Sequence, residues 1–180
     1  MKLCLDPGHG GKDPGAVGPN GLAEAPVVLA ISQDLAGLLE TYGWSTKLTR
    51  ESEVFVELGA RCEIANDWGA NYFVSVHCNS NGPEACGIET LYKTDRGRHV
   101  ALPVHQALIV ATGDRDRGLK QRTDLYVLNG TRMPAILVEV GFISHPATEA
   151  NLADALYLGV LAEAIALGLK SLDVLTPKPL

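Results

Sequence analysis

Leu3-Cys4-Leu5-Asp6-Pro7-Gly8-His9-Gly10-Gly11 is a short apolar run that breaks into a glycine-lined turn carrying one histidine. A run of this kind reads as a strand, and Pro7 with the glycines marks its end. Two later apolar runs, 72–77 and 135–140, repeat the form, with His77 and Glu139 at or next to their ends. In an open α/β sheet, ligands gather beyond the carboxyl ends of the strands. Three side chains of metal-binding type therefore fall where such a sheet places its site. The glycines around His9 are read as keeping the rim low, so that a large molecule can approach.

Between these runs, helix and strand signals alternate. A strand is expected over 2–6 and a helix over 26–42, with Pro26 near its first position and Gly43 past its end. A strand over 44–49, a helix over 56–68 stopped by Gly69 and a strand over 72–77 follow. After a Gly/Pro/Asn-rich loop at 79–87, residues 88–93 alternate with period two, as a half-solvated strand does, and an antiparallel direction is open for it. A helix is expected within 100–112, Pro103 setting its start later than the first apolar residue. Segment 115–122 reads as a basic loop, 125–128 as a short strand, 135–140 as a buried one, and 147–153 and 155–172 as helices. This alternation implies a three-layer α/β fold, a twisted and mostly parallel sheet with helices on both faces. One domain is expected over 1–173, with 174–180 an extended tail or the start of a linker.

The chain has 180 residues, 46% hydrophobic and 20% charged, and a net charge of −6. That length suffices for a substantial core. The acidity argues against nucleic acid as the main partner, because phosphate binding leaves a basic footprint. It also removes any general attraction to an anionic surface, so a polymer substrate must be held by local contacts. The cysteines, at 4, 62, 78 and 86, suit small buried positions, the alternative being a Cys78–Cys86 bridge across the loop. The apolar run after Met1-Lys2 is far short of a secretory signal core, so the chain is expected to be made in the cytoplasm without a leader. The stretch 155–169 carries Glu163 and is too short to span a membrane; it reads as a buried helix. The composition is compatible with a monomer.

His9, Glu24, His77 and Glu139 form the candidate constellation. Two histidines and a carboxylate with one position left open make a catalytic zinc site, in which the metal acidifies water and polarises a carbonyl. A second carboxylate would serve as general base. Glu24 suits the ligand and Glu139 the base, although spacing alone does not separate the two. Cys78 adjoins His77 and in extended chain faces the other way, so it reads as structural. Asp6 is a candidate acceptor orienting the His9 imidazole, and Asn79 returns to the side of His77, where it could bind substrate. The basic segment that includes Arg115 and Lys120 could grip substrate carboxylates. His99 and His105 read as surface residues, and His145 as a ligand-orienting, substrate-contacting or plain loop residue. No nucleophile elbow or phosphate loop is present.

Together, Asp6-Pro7-Gly8-His9-Gly10-Gly11, Glu24, Leu48-Thr49-Arg50, Ser75-Val76-His77-Cys78-Asn79 and Val138-Glu139-Val140-Gly141-Phe142-Ile143-Ser144 resemble the zinc-dependent N-acetylmuramoyl-L-alanine amidases, specifically the group called amidase 3. The likeness runs in order through nearly the whole chain. It implies one zinc ion held by His9, Glu24 and His77, Glu139 as the catalytic glutamate, and a sheet of about six strands with helices on both faces. The implied reaction hydrolyses the amide between the lactyl group of N-acetylmuramic acid and the L-alanine of the peptidoglycan stem peptide. Arg115 to Lys120 is similar to a basic segment that family members carry near substrate. Two departures stand out: His145 occupies a position where relatives commonly have asparagine, and no wall-binding repeat is recognisable. The resemblance thus suits an endolysin catalytic domain, an autolytic or mother-cell enzyme, or a fragment, acting on the wall after release or lysis. The rival readings are a peptidoglycan carboxypeptidase or endopeptidase using the same ligands, and a wall-binding module without catalysis.

Overall fold

The apolar runs assemble into one sheet whose two faces receive very different cover. In a computed structural model, which describes residues 1–172, the order is β1 (Lys2–Pro7), α1 (Glu24–Thr41), β2 (Ser45–Leu48), α2 (Leu58–Trp68), β3 (Tyr72–Asn79), β4 (Ile88–Tyr92), α3 (Asp95–Thr112), β5 (Asp116–Gln121), α4 (Tyr126–Gly130), β6 (Ala135–Phe142), α5 (Pro146–Leu152) and α6 (Ala155–Lys170). The expected tail at 174–180 lies outside the described residues. The six strands lie in the order β2-β1-β3-β6-β4-β5. β2, β1, β3 and β6 are parallel; β4 runs antiparallel to β6, and β5 runs parallel to β4. The expected α/β sheet is borne out, as is the reversed direction of β4.

Strand alternation sorts the side chains between the two faces. Leu3, Leu5, Val74, Val76, Ile136, Val138 and Val140 join the larger core with residues of the long helices α1, α3 and α6. The intervening Cys4, Phe73 and Leu137 join a smaller core with Cys62 of α2 and Val127 and Leu128 of α4. Continuing the alternation toward the strand ends puts Asp6, His77 and Glu139 on the second face, which among the described residues two short helices, α2 and α4, cover. Cys78 belongs to the larger core on the opposite face, as expected, and all four cysteines are free thiols.

Four local expectations are corrected. α1 begins at Glu24, before Pro26, because the helix start is capped by loop backbone: the Glu24 and Ala25 amides donate to the Ala16 and Pro14 carbonyls at 2.9 and 3.0 Å. Pro26 then sits among the first-turn positions whose N–H has no helical acceptor in any case. α3 begins at Asp95 rather than later than Val100, since Thr94 Oγ1 accepts the Gly97 amide at 3.1 Å as an N-cap. Pro103 is tolerated inside because the carbonyl it strands belongs to His99, on the exposed face. Residues 125–128 are mostly the start of helix α4 rather than a strand; so short an apolar run satisfies either geometry, and here it packs on α2. The supposed basic loop contains β5, an edge strand whose charges suit an unpaired margin.

Candidate metal centre

Glu24, the first residue of α1, reaches over the ends of β1 and β3. Its buried carboxylate is fixed by backbone: Oε1 accepts the Cys78 amide at 2.8 Å and Oε2 the Ala16 amide at 2.9 Å. The same oxygens meet the two imidazoles, Oε1 against His77 Nδ1 at 3.0 Å and Oε2 against His9 Nε2 at 3.1 Å. The two rings meet edge to face with centroids 5.0 Å apart. One donor atom from each of His9, Glu24 and His77 lies within 4.8 Å of the others. Two imidazole nitrogens and a carboxylate oxygen converging at this range fit a divalent ion of the zinc type.

The chain turns sharply to deliver His9. Its φ is +59°, the only positive value at a non-glycine among the described residues, a conformation that costs a bulky side chain about 1 kcal/mol or more. Two buried arginines hold the turn. Arg50 donates to the Pro7, Gly8 and Ala25 carbonyls at 3.1, 2.8 and 2.7 Å. Arg61 donates to the Pro7 and His9 carbonyls at 2.7 and 2.6 Å, and pairs with Asp6 at 2.9 Å. A side chain at Gly8 would collide with the His77 imidazole, and one at Gly15 would press on Glu24 Oε2 and the His9 ring. Gly8 and Gly15 thus make room for the candidate ligand side chains, whereas Gly10 and Gly11 lie close against Arg50, Val54 and Phe55.

Asp6 does not orient His9. Its carboxylate is taken by Thr49 Oγ1 at 2.7 Å, Ser75 Oγ at 2.7 Å and Arg61 at 2.9 Å. Asp13 does that work instead, its Oδ2 lying 2.9 Å from His9 Nδ1. Burial opposes a charged His9 ring, but the hydrogen bonds to Glu24 and Asp13 outweigh it and carry the pKa up to about 9. Burial likewise opposes ionisation of Glu24, and the two imidazoles overcome it, holding the carboxyl well below the usual range.

Glu139 is the register partner of His77 across β3 and β6. The residue is partly exposed, yet its Oε2 is buried and has no hydrogen-bond partner among the described residues. Burial pushes its pKa up to about 7, with Glu24 and Glu89 adding to the rise and the histidines opposing it. A partnerless buried carboxylate oxygen is costly, and such groups cluster at functional sites. Beside the histidines a cleft of about 430 Å³ opens, lined by Phe55 and Leu58, by Tyr126 of α4 and by Leu137 of β6.

The remaining candidates scatter. Asn79 is engaged by its own neighbours, its amide donating to Glu89 at 3.0 Å. Arg115 and Lys120 are exposed at the β5 edge. His145 caps α5, its Nδ1 accepting the Thr148 amide at 3.3 Å. His105 is buried rather than on the surface, set between Thr90 at 3.1 Å and Asp116 at 2.8 Å. Sequence reasoning misses Asp13, Arg61 and Glu89, while Arg117 lies within the basic segment already expected near substrate. The spacing of Asp13 four residues past His9 is the one available signal; the others come from distant elements.

Residues 3–171 match the amidase 3 family model, described as N-acetylmuramoyl-L-alanine amidase. The chain is 38% identical over 175 residues to the sporulation-specific N-acetylmuramoyl-L-alanine amidase of Bacillus subtilis, covering 94% of this chain and 67% of that protein. It is 40% identical over 176 residues to an endolysin of Bacillus phage SPP1, covering 93% and 64%. Among solved structures, the N-acetylmuramoyl-L-alanine amidase AmiC2 of Nostoc punctiforme superposes with a TM-score of 0.92 at 40% identity, covering 96% of this chain and 97% of that one.

Proposed function

Since the chain belongs to the N-acetylmuramoyl-L-alanine amidase family, we propose that it cleaves the amide between N-acetylmuramic acid and L-alanine with His9, Glu24 and His77 holding one zinc ion and Glu139 as general base and acid. The observation that carries this is the convergence of three potential ligand atoms within 4.8 Å beside a carboxylate whose buried oxygen has no partner among the described residues. Bound there, zinc would supply Lewis-acid chemistry, polarising the scissile carbonyl and making water acidic enough to attack.

The protein's own groups do the rest. Asp13 holds His9 Nδ1, which leaves Nε2 as the ligating nitrogen, and Arg50 and Arg61 fix the turn that aims the ring. The Cys78 and Ala16 amides fix both oxygens of Glu24. Glu139, with a pKa near neutrality, can take a proton from water and return it to the leaving amine nitrogen. Peptidoglycan enters across the α2/α4 face, where cover is thinnest.

Mass spectrometry of purified peptidoglycan digested with and without added zinc tests the reading. Release of intact stem peptides with a free L-alanine amino terminus is expected. Fragments cut within the peptide would instead favour a peptidase using the same ligands, and absence of any product would favour a binding module.

A further inference from the structure

A row of side chains crosses four strand ends on the α2/α4 face. His77 on β3 is in register with Glu139 on β6, and Glu139 with Glu89 on β4. Next comes Arg117 on β5, whose Nε donates to Glu89 Oε2 at 2.9 Å, while Asn79 donates to Oε1 at 3.0 Å. Two strand spacings, roughly 10 Å, separate β5 from β6. The Arg117 guanidinium lies over the Phe142 ring, 4.6 Å from its centroid, and the side chain is 28% exposed. Its position is thus fixed through Nε and one flat face. Among the described residues, the terminal nitrogens Nη1 and Nη2 have no hydrogen-bond partner.

We propose that Arg117 determines substrate specificity by binding, through Nη1 and Nη2, a free carboxylate of the stem peptide on the leaving-amine side of the scissile bond. The inference rests on the amidase reading above. A planar guanidinium edge matches a carboxylate with two parallel hydrogen bonds. The site otherwise presents carboxylates, namely Glu24, Glu139 and Glu89, so an anionic substrate group needs a fixed cation to approach. Arg50 and Arg61 are consumed by backbone carbonyls and Asp6. Arg122 is paired with Asp124 at 2.7 Å. Lys12, on the far rim, lies over the Phe55 ring 4.3 Å from its centroid and is an exposed, flexible point charge. In the stem peptide, the second residue is a D-glutamate linked through its γ-carboxyl. Its α-carboxylate therefore stands free, or is amidated, a short distance beyond the scissile amide.

The test compares two N-acetylmuramoyl peptides that differ only in this group, an α-carboxylate in one and an α-carboxamide in the other. The wild-type protein, loaded with zinc, should cleave the acid with kcat/KM roughly tenfold to hundredfold above the amide, mostly through KM. Arg117→Gln should bring the ratio close to one, Arg117→Lys should keep part of it, and Lys12→Gln should leave it unchanged. A substitution that merely loosened β5 or disturbed Glu139 would slow both substrates together and leave the ratio intact. Should Arg117→Gln fail to fold, a ratio reduced in Arg117→Lys at unchanged Tm carries the same meaning. A wild-type ratio near one, a ratio preserved in the Arg117 variants, or one abolished by Lys12→Gln overturns the proposal. Failure of the wild type to release either peptide sinks the amidase reading first, and this inference with it.

Discussion

Glu139 combines two properties that conflict in a protein interior, an ionisable carboxyl and a buried oxygen with no hydrogen-bond partner among the described residues. Folding gains little from such a residue, so its removal should cost function and not structure. Glu139→Ala is expected to stay folded and bind zinc, with turnover lower by about 10²-fold or more; metal analysis alongside peptidoglycan digestion checks both halves, and near-normal turnover would remove Glu139 from its role. This residue is legible from sequence because a carboxylate interrupting Ala135-Ile136-Leu137-Val138 has no good structural excuse. Asp6 misleads for the opposite reason. Its neighbours in sequence suggest His9, whereas its actual partners, Thr49, Arg61 and Ser75, arrive from three other segments. His145 caps α5 through its Nδ1, and an asparagine side chain would accept from the helix start in the same way. His145→Asn should therefore leave Tm and activity essentially unchanged, while His145→Ala should lose about 1 kcal/mol of stability in a denaturation series.

Elements deliver the candidate ligands, and each delivery has its own brace. The left-handed His9 turn depends on Arg61, whose loss would also strand Asp6 in the interior; Arg61→Ala should cost about 3–5 kcal/mol, as breaking one side of a buried pair does. Arg61→Lys, lacking the fork that reaches both Pro7 and His9, should fold and yet bind zinc more weakly, as competition with a chromogenic chelator would reveal. The segment before Glu24 is braced from α5. Glu149 accepts the Asn20 and Leu22 amides at 2.9 and 3.1 Å and the Asn20 side chain at 2.7 Å. Burial works against its charge, but these donors prevail and hold its pKa below the ordinary glutamate value. A depressed pKa means that the folded state binds protons less readily than the unfolded one. The contribution of Glu149 is therefore complete above about pH 4.3, the unfolded value, and is lost as pH falls toward the folded one. Urea titrations from pH 6 to pH 3 should show a steeper acid loss for the wild type than for Glu149→Gln; parallel curves would dissociate Glu149 from the brace. At this scale, strong periodicity makes most helices and strands readable, whereas β5 is hidden by charge at a sheet edge and α4 by an apolar run too short to declare its period.

The whole molecule is asymmetric about its sheet. Long helices seal one face, while the face that carries Asp6, His77, Glu139 and Glu89 has thin cover, so the strand ends there rely on tertiary ties other than packing. A zinc ion on His9, Glu24 and His77 would be such a tie, linking the turn after β1, the start of α1 and the end of β3. Binding to the folded state alone stabilises it by about 2.7 kcal/mol when free metal stands a hundredfold above its dissociation constant. For a domain of this size each kcal/mol moves Tm by about 2–4 °C. Chelation should therefore lower Tm by roughly 5–10 °C, and restored zinc should recover it. Glu139→Ala should respond as the wild type does, because that side chain is assigned to the proton and not to the metal. His77→Ala should have a low Tm that neither chelator nor zinc moves. A wild-type Tm indifferent to chelation would mean that the three ligands do not close around an ion, and a chelator response lost in Glu139→Ala would exchange the roles given to the two glutamates. The same scans thus decide what spacing in the sequence leaves open, which carboxylate holds the metal and which handles the proton.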